Sequence, residues 1–380
     1  METSGEHQAQ VKAQAKAQAK APATAQVLDA ELVRAQYTPA TTYLNTASSG
    51  LLPVRAGEAM RAAITDMTEG RSPDSLFADV EEARAAFARI VGVPVSRVAT
   101  GGSVAVYSGL IASSLPAGAE VLTAEGDFSS TVNPFHVRGD LKVRAVPLDA
   151  LPDAVRSGTA LVAVSAAQSA DGRVADVPAL RAATRTHGAR LYVDVSQAAG
   201  WYPVAAQAAD ADYLASVGFK WLTCPRGAVF FVGPRDPEGF DALTPVFGGW
   251  VSGENPWDSC YGPVTEPARS ARRFDETQSL VAYTGARQSL ALIEELGPEA
   301  IHAHDLALAD RFRAGLARLG HEPVRSPGSP IVSVPELGVK QVELQRAGIE
   351  LSNRAGNLRA SFHLYNTPAD VDRLLDALSS

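Results

Sequence analysis

Residues 190–220 read RLYVDVSQAAGWYPVAAQAADADYLASVGFK. The stretch opens on a short apolar run, Leu191-Tyr192-Val193, that ends on the carboxylate of Asp194, and it closes with Lys220 directly after the apolar run 213–219. A buried strand of a parallel sheet reads as a continuous apolar run, because both of its faces are covered. Two such runs put both polar groups at strand ends, and in open α/β sheets ligands gather beyond the carboxyl ends of the strands. An Asp in this place is also a common cap or turn former, and a Lys a common solvated exit, so it is the pair and its order that carry the argument.

An apolar setting disfavours the ammonium form of Lys220 and lowers its pKa, which is what a lysine needs to attack a carbonyl and form a Schiff base. An Asp for a pyridinium nitrogen and a Lys for an aldehyde are the minimum protein equipment for pyridoxal phosphate. No G-x-G-x-x-G follows a strand near the start of the α/β region, which argues against a nicotinamide-dependent dehydrogenase.

The segment VDVSQ, followed by FKWLTCPRGAVFFV, resembles the class V aminotransferase family, which also holds cysteine desulfurases, isopenicillin N epimerase-like enzymes and kynureninase. Asp194-Val195-Ser196-Gln197 and Lys220 match the family's Asp-x-x-Gln and its Schiff-base lysine some twenty-five residues later. The resemblance runs from about Thr42 to the C-terminus. It implies an α/β fold of the pyridoxal-phosphate-dependent transferase type (fold type I, aspartate aminotransferase-like), with a large, mainly parallel-sheet domain and a smaller α+β C-terminal domain. By resemblance, Asp194 pairs with the pyridine nitrogen, Gln197 contacts the ring hydroxyl and Lys220 carries pyridoxal 5'-phosphate.

Bulk properties agree with a large enzyme. A chain of 380 residues with 46% hydrophobic composition can bury a sizeable core, and a formal charge of −8 argues against nucleic acid or an anionic membrane as partner. Cys224 and Cys260 have no metal-type spacing and fit a reducing cytoplasm better than a disulfide framework, so no metal is expected. Residues 1–30 are Ala, Gln and Lys with almost no large apolar side chain, and read as a solvated tail. They lack the apolar centre of a secretory signal, and no run elsewhere is long enough to span a bilayer. The remaining division is 31–49 joining the small domain, 50–283 as the cofactor-binding domain and 284–380 as the small C-terminal domain.

Along the chain, residues 43–50 (YLNTASSG) read as a short strand entering a small-residue turn, with a helical pattern after Pro53. In the family this entry segment lines the substrate side, which makes Asn45 and Ala47 candidates. The sequence Val98-Ala99-Thr100-Gly101-Gly102-Ser103 followed by the helical pattern 104–115 is a strand, a glycine turn and a helix start, which gathers free N–H groups for a phosphate. The resemblance puts the cofactor phosphate against Gly102, Ser103 and Val104, with Val104 where relatives often have a second hydroxyl. After the strand 120–124, Phe128 either stacks on the pyridine face, where desulfurases usually carry His, or fills the core. Ser169 takes the place of an Asn used by some relatives. Ser216-Val217-Gly218-Phe219-Lys220 departs from the desulfurase Ser-Gly-His-Lys: the His is Phe219, and Ser216, shifted by one place, is retained as a cofactor contact.

The long irregular stretch from Phe247 to Thr277 holds Trp250, Trp257 and Tyr261, aromatics of the kind that line pockets or interfaces. In relatives its final Thr binds the neighbouring subunit's phosphate, so Thr277 implies a homodimer. Residues 358–367 (LRASFHLYNT) resemble the family's closing motif, whose Arg clamps the substrate α-carboxylate. Arg359 is that residue, its two parallel N–H donors matching two carboxylate oxygens, and Arg354 is a weaker substitute. Between Arg354-Ala355-Gly356 and Arg359 the chain has no cysteine and almost no loop, where desulfurases carry their nucleophile. Persulfide formation is therefore disfavoured.

The expected chemistry is attack of a small-molecule amino acid at the Schiff base, with Lys220 then removing the α-proton. The fate of the resulting carbanion is open. Loss of a β-substituent makes a C–S lyase of the hercynylcysteine sulfoxide lyase type, which the reading favours slightly for a cysteine-derived substrate. Reprotonation elsewhere makes an aminotransferase, or an epimerase or racemase. A non-catalytic family member acting as a binding protein is the alternative from another class.

Overall fold

The computed structural model describes residues 27–71, 74–205, 210–235 and 237–379. The tail expected for 1–30 lies outside the described residues as far as position 26. From Asp29 the chain is already a capped helix, Ala30–Gln36, with the Asp29 carboxylate accepting from the backbone N–H groups of Glu31 and Leu32, so the tail expectation is corrected there.

Seven strands build the main sheet: β2 (Val98–Gly101), β3 (Glu120–Ala124), β4 (Lys142–Val146), β5 (Thr159–Ser165), β6 (Arg190–Asp194), β7 (Tyr213–Val217) and β8 (Val229–Val232). Their order across the sheet is β2-β8-β7-β6-β5-β3-β4. From β4 to β7 all pairs are parallel, and β8 alone runs against its neighbours β7 and β2. The apolar runs read in the sequence are these strands, and their continuity follows from burial on both faces. On β6, Leu191 and Val193 join one core layer while Tyr192 joins the layer under the helix Val104–Ser114. Tyr192 there meets Ser108 with its hydroxyl at 3.0 Å.

This topology brings distant segments to one edge. The carboxyl ends of β2, β3, β6 and β7 lead to Gly102, Phe128, Asp194 and Lys220, and the antiparallel β8 begins at the same edge, just after Arg226 and Gly227. The helix Val177–His187 ends on Gly188 in the left-handed conformation, as the His-Gly pair predicts.

A second sheet is antiparallel, in the order β11 (Ser352–Arg354), β12 (Asn357–Ser361), β9 (Ile331–Val334). The helices Pro298–Arg318 and Pro368–Ser379 pack on it through Phe312, Leu316, Leu374 and Leu375. The first of these opens on Pro298, which suits the opening turn of a helix. The two-residue strand β1 (Thr42–Tyr43) pairs in parallel with β10 (Ile349–Glu350), tying the entry segment to the C-terminal part.

Candidate active site

A cavity of about 330 Å³ opens at the carboxyl edge of the main sheet, lined among others by Gly102, Ser103, Val104, Phe128, Asp194 and Lys220. Six residues singled out in the sequence thus share one space. Lys220 is buried, yet its Nζ makes no hydrogen bond or ion pair among the described residues and lies 5.0 Å from the centroid of the Phe128 ring. Burial pushes its pKa down to about 8; Asp194 opposes the shift, and the positive charges of Arg359, Arg226 and Arg354 add to it.

Asp194 is fixed from two sides. Thr131 donates its hydroxyl to Oδ2 at 2.6 Å, and the Ser196 backbone N–H donates to Oδ1 at 2.8 Å. Thr131 sits in the helix Ser129–Val137 just past Phe128, and no local pattern marked it. Phe128 is 44% exposed, which sets aside the core-filling reading, and its ring covers Lys220.

At the other end of the cavity, Ser103 caps the helix Val104–Ser114 by accepting from Ala105 N–H at 3.1 Å. The backbone N–H groups of Ser103 and Val104 meet no acceptor among the described residues. Gly102 N–H donates instead to Glu276 Oε2 at 2.9 Å, so a carboxylate already sits at the mouth of this anion-binding corner. An unpartnered buried amine, a fixed carboxylate and free N–H groups at a helix start are the donor set that pyridoxal phosphate needs, and the residues fit it.

Other predicted residues lie elsewhere. Gln197 spends its amide within the protein: Nε2 donates to Ala47 O at 2.8 Å and to Ser169 Oγ at 3.0 Å, while Oε1 accepts from Trp221 Nε1 at 2.8 Å. Ser216 is fully buried and turns its hydroxyl to Val217 O, outside the cavity lining; Ser196, which lines the cavity, accepts from Val217 N–H at 3.0 Å. Thr277 is exposed and does not line the cavity of its own chain. Asn45 accepts from Ser352 Oγ at 2.6 Å, and Ala47 N–H donates to Ser361 Oγ at 3.0 Å.

Arg359 is fully buried, with Nη1 on the carbonyl and hydroxyl of Ser169 and Nη2 on Ser48 Oγ at 2.6 Å; its Nε has no partner. Burial, and then the charge of Arg354, push its pKa down to about 9. The gap where a desulfurase carries its cysteine is closed here by the tight hairpin turn Ala355-Gly356, both residues at positive φ, between β11 and β12. Cys224 is buried with its thiol pushed up by desolvation and its Sγ toward Leu222 O, and Cys260 is exposed on the irregular stretch. Around that stretch Phe77 packs edge to ring with both Trp250 and Trp257, whose own rings are tilted against each other.

Comparison with known proteins agrees with this fold. The chain is 26% identical to isopenicillin N epimerase of Streptomyces clavuligerus, an alignment covering 90% of this chain and 95% of the relative. It is 25% identical to the uncharacterized aminotransferase YcbU of Bacillus subtilis (strain 168), over 79% of this chain and 83% of the relative. Among solved structures, a cystine C–S lyase, C-DES, in complex with its product cysteine persulfide superimposes with a TM-score of 0.81 at 22% identity, covering 90% of this chain and 98% of the other. The apo cysteine desulfurase of Thermococcus onnurineus NA1 gives 0.80 at 20% identity, covering 93% and 97%. The aminotransferase class-V family model matches residues 59–374. The binding-protein reading falls away, and the chain belongs to the aminotransferase class-V family as a pyridoxal 5'-phosphate-dependent enzyme.

Proposed function

We propose that the protein is a β-eliminating C–S lyase acting on a cysteine-derived amino acid, of the hercynylcysteine sulfoxide lyase type. The observation that carries this reading is the pairing of an unpartnered, low-pKa Lys220 with the absence of any thiol on the short β11–β12 turn. Bound pyridoxal phosphate supplies the electron sink for the pair left at Cα when a bond there breaks. Asp194, held by Thr131 and Ser196, would pair with the pyridine nitrogen. Ser103 and Val104 would take the phosphate, with Gly102 joining them where its N–H is released by Glu276, and Phe128 would cover the ring beside Lys220. Lys220 would hold the cofactor and serve as the base at the substrate Cα, a task for which a pKa near 8 is better matched than one of 10.5. Arg359 orients the α-carboxylate. With no thiol on the β11–β12 turn to receive sulfur, the sulfur departs with the leaving group.

We also propose a homodimer, in which the exposed Thr277 serves the partner's phosphate, and the division 31–49, 50–283 and 284–380. Two unpaired cysteines fit the cytoplasm. Among the described residues no helix is long and apolar enough to cross a membrane. The likeness to isopenicillin N epimerase across 90% of the chain supports epimerisation as the second reading, with Lys220 returning the proton to Cα.

The test is to incubate purified protein with S-substituted L-cysteines, with and without a keto-acid acceptor, and measure pyruvate, ammonia and stereochemistry at Cα. Pyruvate and ammonia are expected. Transamination or Cα inversion without pyruvate sinks the lyase reading. A visible absorption band that borohydride removes, and that Lys220→Ala lacks, checks the lysine separately.

A further inference from the structure

Two guanidinium groups converge on the hydroxyl of Ser48. Arg359, on β12, donates from Nη2 to Ser48 Oγ at 2.6 Å, and Arg354, on β11, donates from Nη2 to the same oxygen at 2.9 Å. Ser48 Oγ is 3.0 Å from Ser352 Oγ, which donates to Asn45 Oδ1 at 2.6 Å. The protons are then fixed: Ser352 gives its hydrogen to Asn45, Ser48 gives its own to Ser352, and both lone pairs of Ser48 Oγ face an arginine. A neutral hydroxyl is thereby saturated by two cations.

No carboxylate balances them. Every hydrogen bond of the two arginines among the described residues ends on a neutral oxygen, of Ser48, Ser169 or Asn353. Arg359 is fully buried with Nε unpartnered, so its charge is poorly screened, and a second cation one hydroxyl away adds repulsion. Such an arrangement becomes favourable only when anions arrive. One substrate α-carboxylate, held by Arg359, offsets one of the two charges. Arg354 remains, exposed on the solvent side, and it adds to the field that depresses Lys220. The β11–β12 turn fixes its place, because Ala355-Gly356 leaves no loop to carry it away.

We propose that the substrate is an amino acid whose side chain carries a second acidic group, and that Arg354 binds this group, with Ser48 yielding its place at the guanidinium to an anionic oxygen. The proposal rests on the reading of Lys220 and Arg359 given above. For a C–S lyase, the substrate is a cysteine conjugate whose sulfur substituent ends in a carboxylate or another acid. Arg354 acts here as a specificity-determining residue for the leaving group.

The test uses the full-length holoenzyme. Dissociation constants for S-(2-carboxyethyl)-L-cysteine and its neutral counterpart S-(2-carbamoylethyl)-L-cysteine are read from the change in visible absorption on binding, for the natural protein and for Arg354→Gln. The natural protein is expected to favour the acid over the amide roughly ten- to a hundredfold, as one charge-assisted pair provides. Arg354→Gln is expected to bring that ratio close to one. A ratio near one in the natural protein overturns the proposal. So does a variant that weakens both ligands while keeping the ratio, since both arginines would then serve the α-carboxylate. Pyruvate release, followed in the same samples, tests the reaction separately: preference for the acid without pyruvate supports the site and sinks only the lyase reading.

Discussion

Replacing Lys220 by Met tests the electrostatics of the site without any reaction. The side chains are close in volume, so the substitution removes the charge and little packing. In the apoprotein Lys220 has a pKa near 8 instead of 10.5, chiefly because burial desolvates the ammonium. At about 1.4 kcal/mol per pH unit, the buried charge costs the folded state ~3 kcal/mol wherever both folded and unfolded chains are protonated. The sign follows from linkage: between pH 8 and 10.5 the unfolded chain binds the proton and the folded chain has released it, so the natural apoprotein gains stability as pH rises through that window. Lys220→Met is therefore expected to be more stable by ~3 kcal/mol at pH 7, with the gap closing by pH 10.5. Urea unfolding of both apoproteins, stripped of cofactor with hydroxylamine, at several pH values gives the difference, because titrations not coupled to Lys220 cancel in it. A gap that stays constant with pH, or a natural protein that is the more stable at pH 7, refutes the claim that the lysine is held ready for attack by desolvation.

Glu276 occupies the Gly102 N–H at the anion-binding corner, so Glu276→Gln, which can still accept that bond, is expected to tighten pyridoxal phosphate binding by about tenfold at low salt and less at high salt; a fluorescence titration showing equal affinity would count against that phosphate position. Gly50 lies against the lysine loop, and a Cβ there would stand 2.0 Å from Lys220 O, so Gly50→Ala is expected to lower stability by ~1–3 kcal/mol and to shift or abolish the cofactor's visible band; an unchanged urea midpoint and spectrum would show that the loop yields freely.

The parts of the site that the sequence made legible are those written in short local patterns. Asp194 and Lys220 follow apolar runs that had to be buried strands, and Gly102-Ser103 follows β2 and caps a helix. Their meeting was predictable because parallel strands deliver their carboxyl ends to one edge. Thr131, Ser48 and Glu276 left no such mark, since each reaches the site through a tertiary approach. Ser216 was misplaced for a reason that the period of two already contains. On β7, Leu214 and Val217 belong to opposite core layers, which puts Ser216 on the Leu214 face, away from the Val217 face that lines the cavity. Arg226 left no such mark either, since the antiparallel entry of β8 at the same edge is what makes it line the cavity.

Gln197 shows why a motif's spacing and its contacts are separate matters. The carbonyls of the residues on either side of Lys220 are held by different parts of the chain: Phe219 O accepts from Gly50 N–H at 2.8 Å, and Trp221 O lies 2.8 Å from His363 Nε2. A carbonyl can only accept, so this ring nitrogen carries the proton, while Nδ1 faces Asp305 at 2.7 Å in the helix Pro298–Arg318. Trp221 also donates its indole N–H to Gln197, which in turn holds Ala47 and Ser169, and Ser169 meets Arg359. A buried lysine left without a partner is unfavourable, and it persists only where its surroundings over-determine its position. The hydrogen bonds on the carbonyls of both flanking residues supply that constraint. Gln197 thus links the Trp221 side chain, next to Lys220, to the entry segment and, through Ser169, to the arginine proposed to meet the substrate, and its distance in sequence from Lys220 is set by β7 and the connection that precedes it.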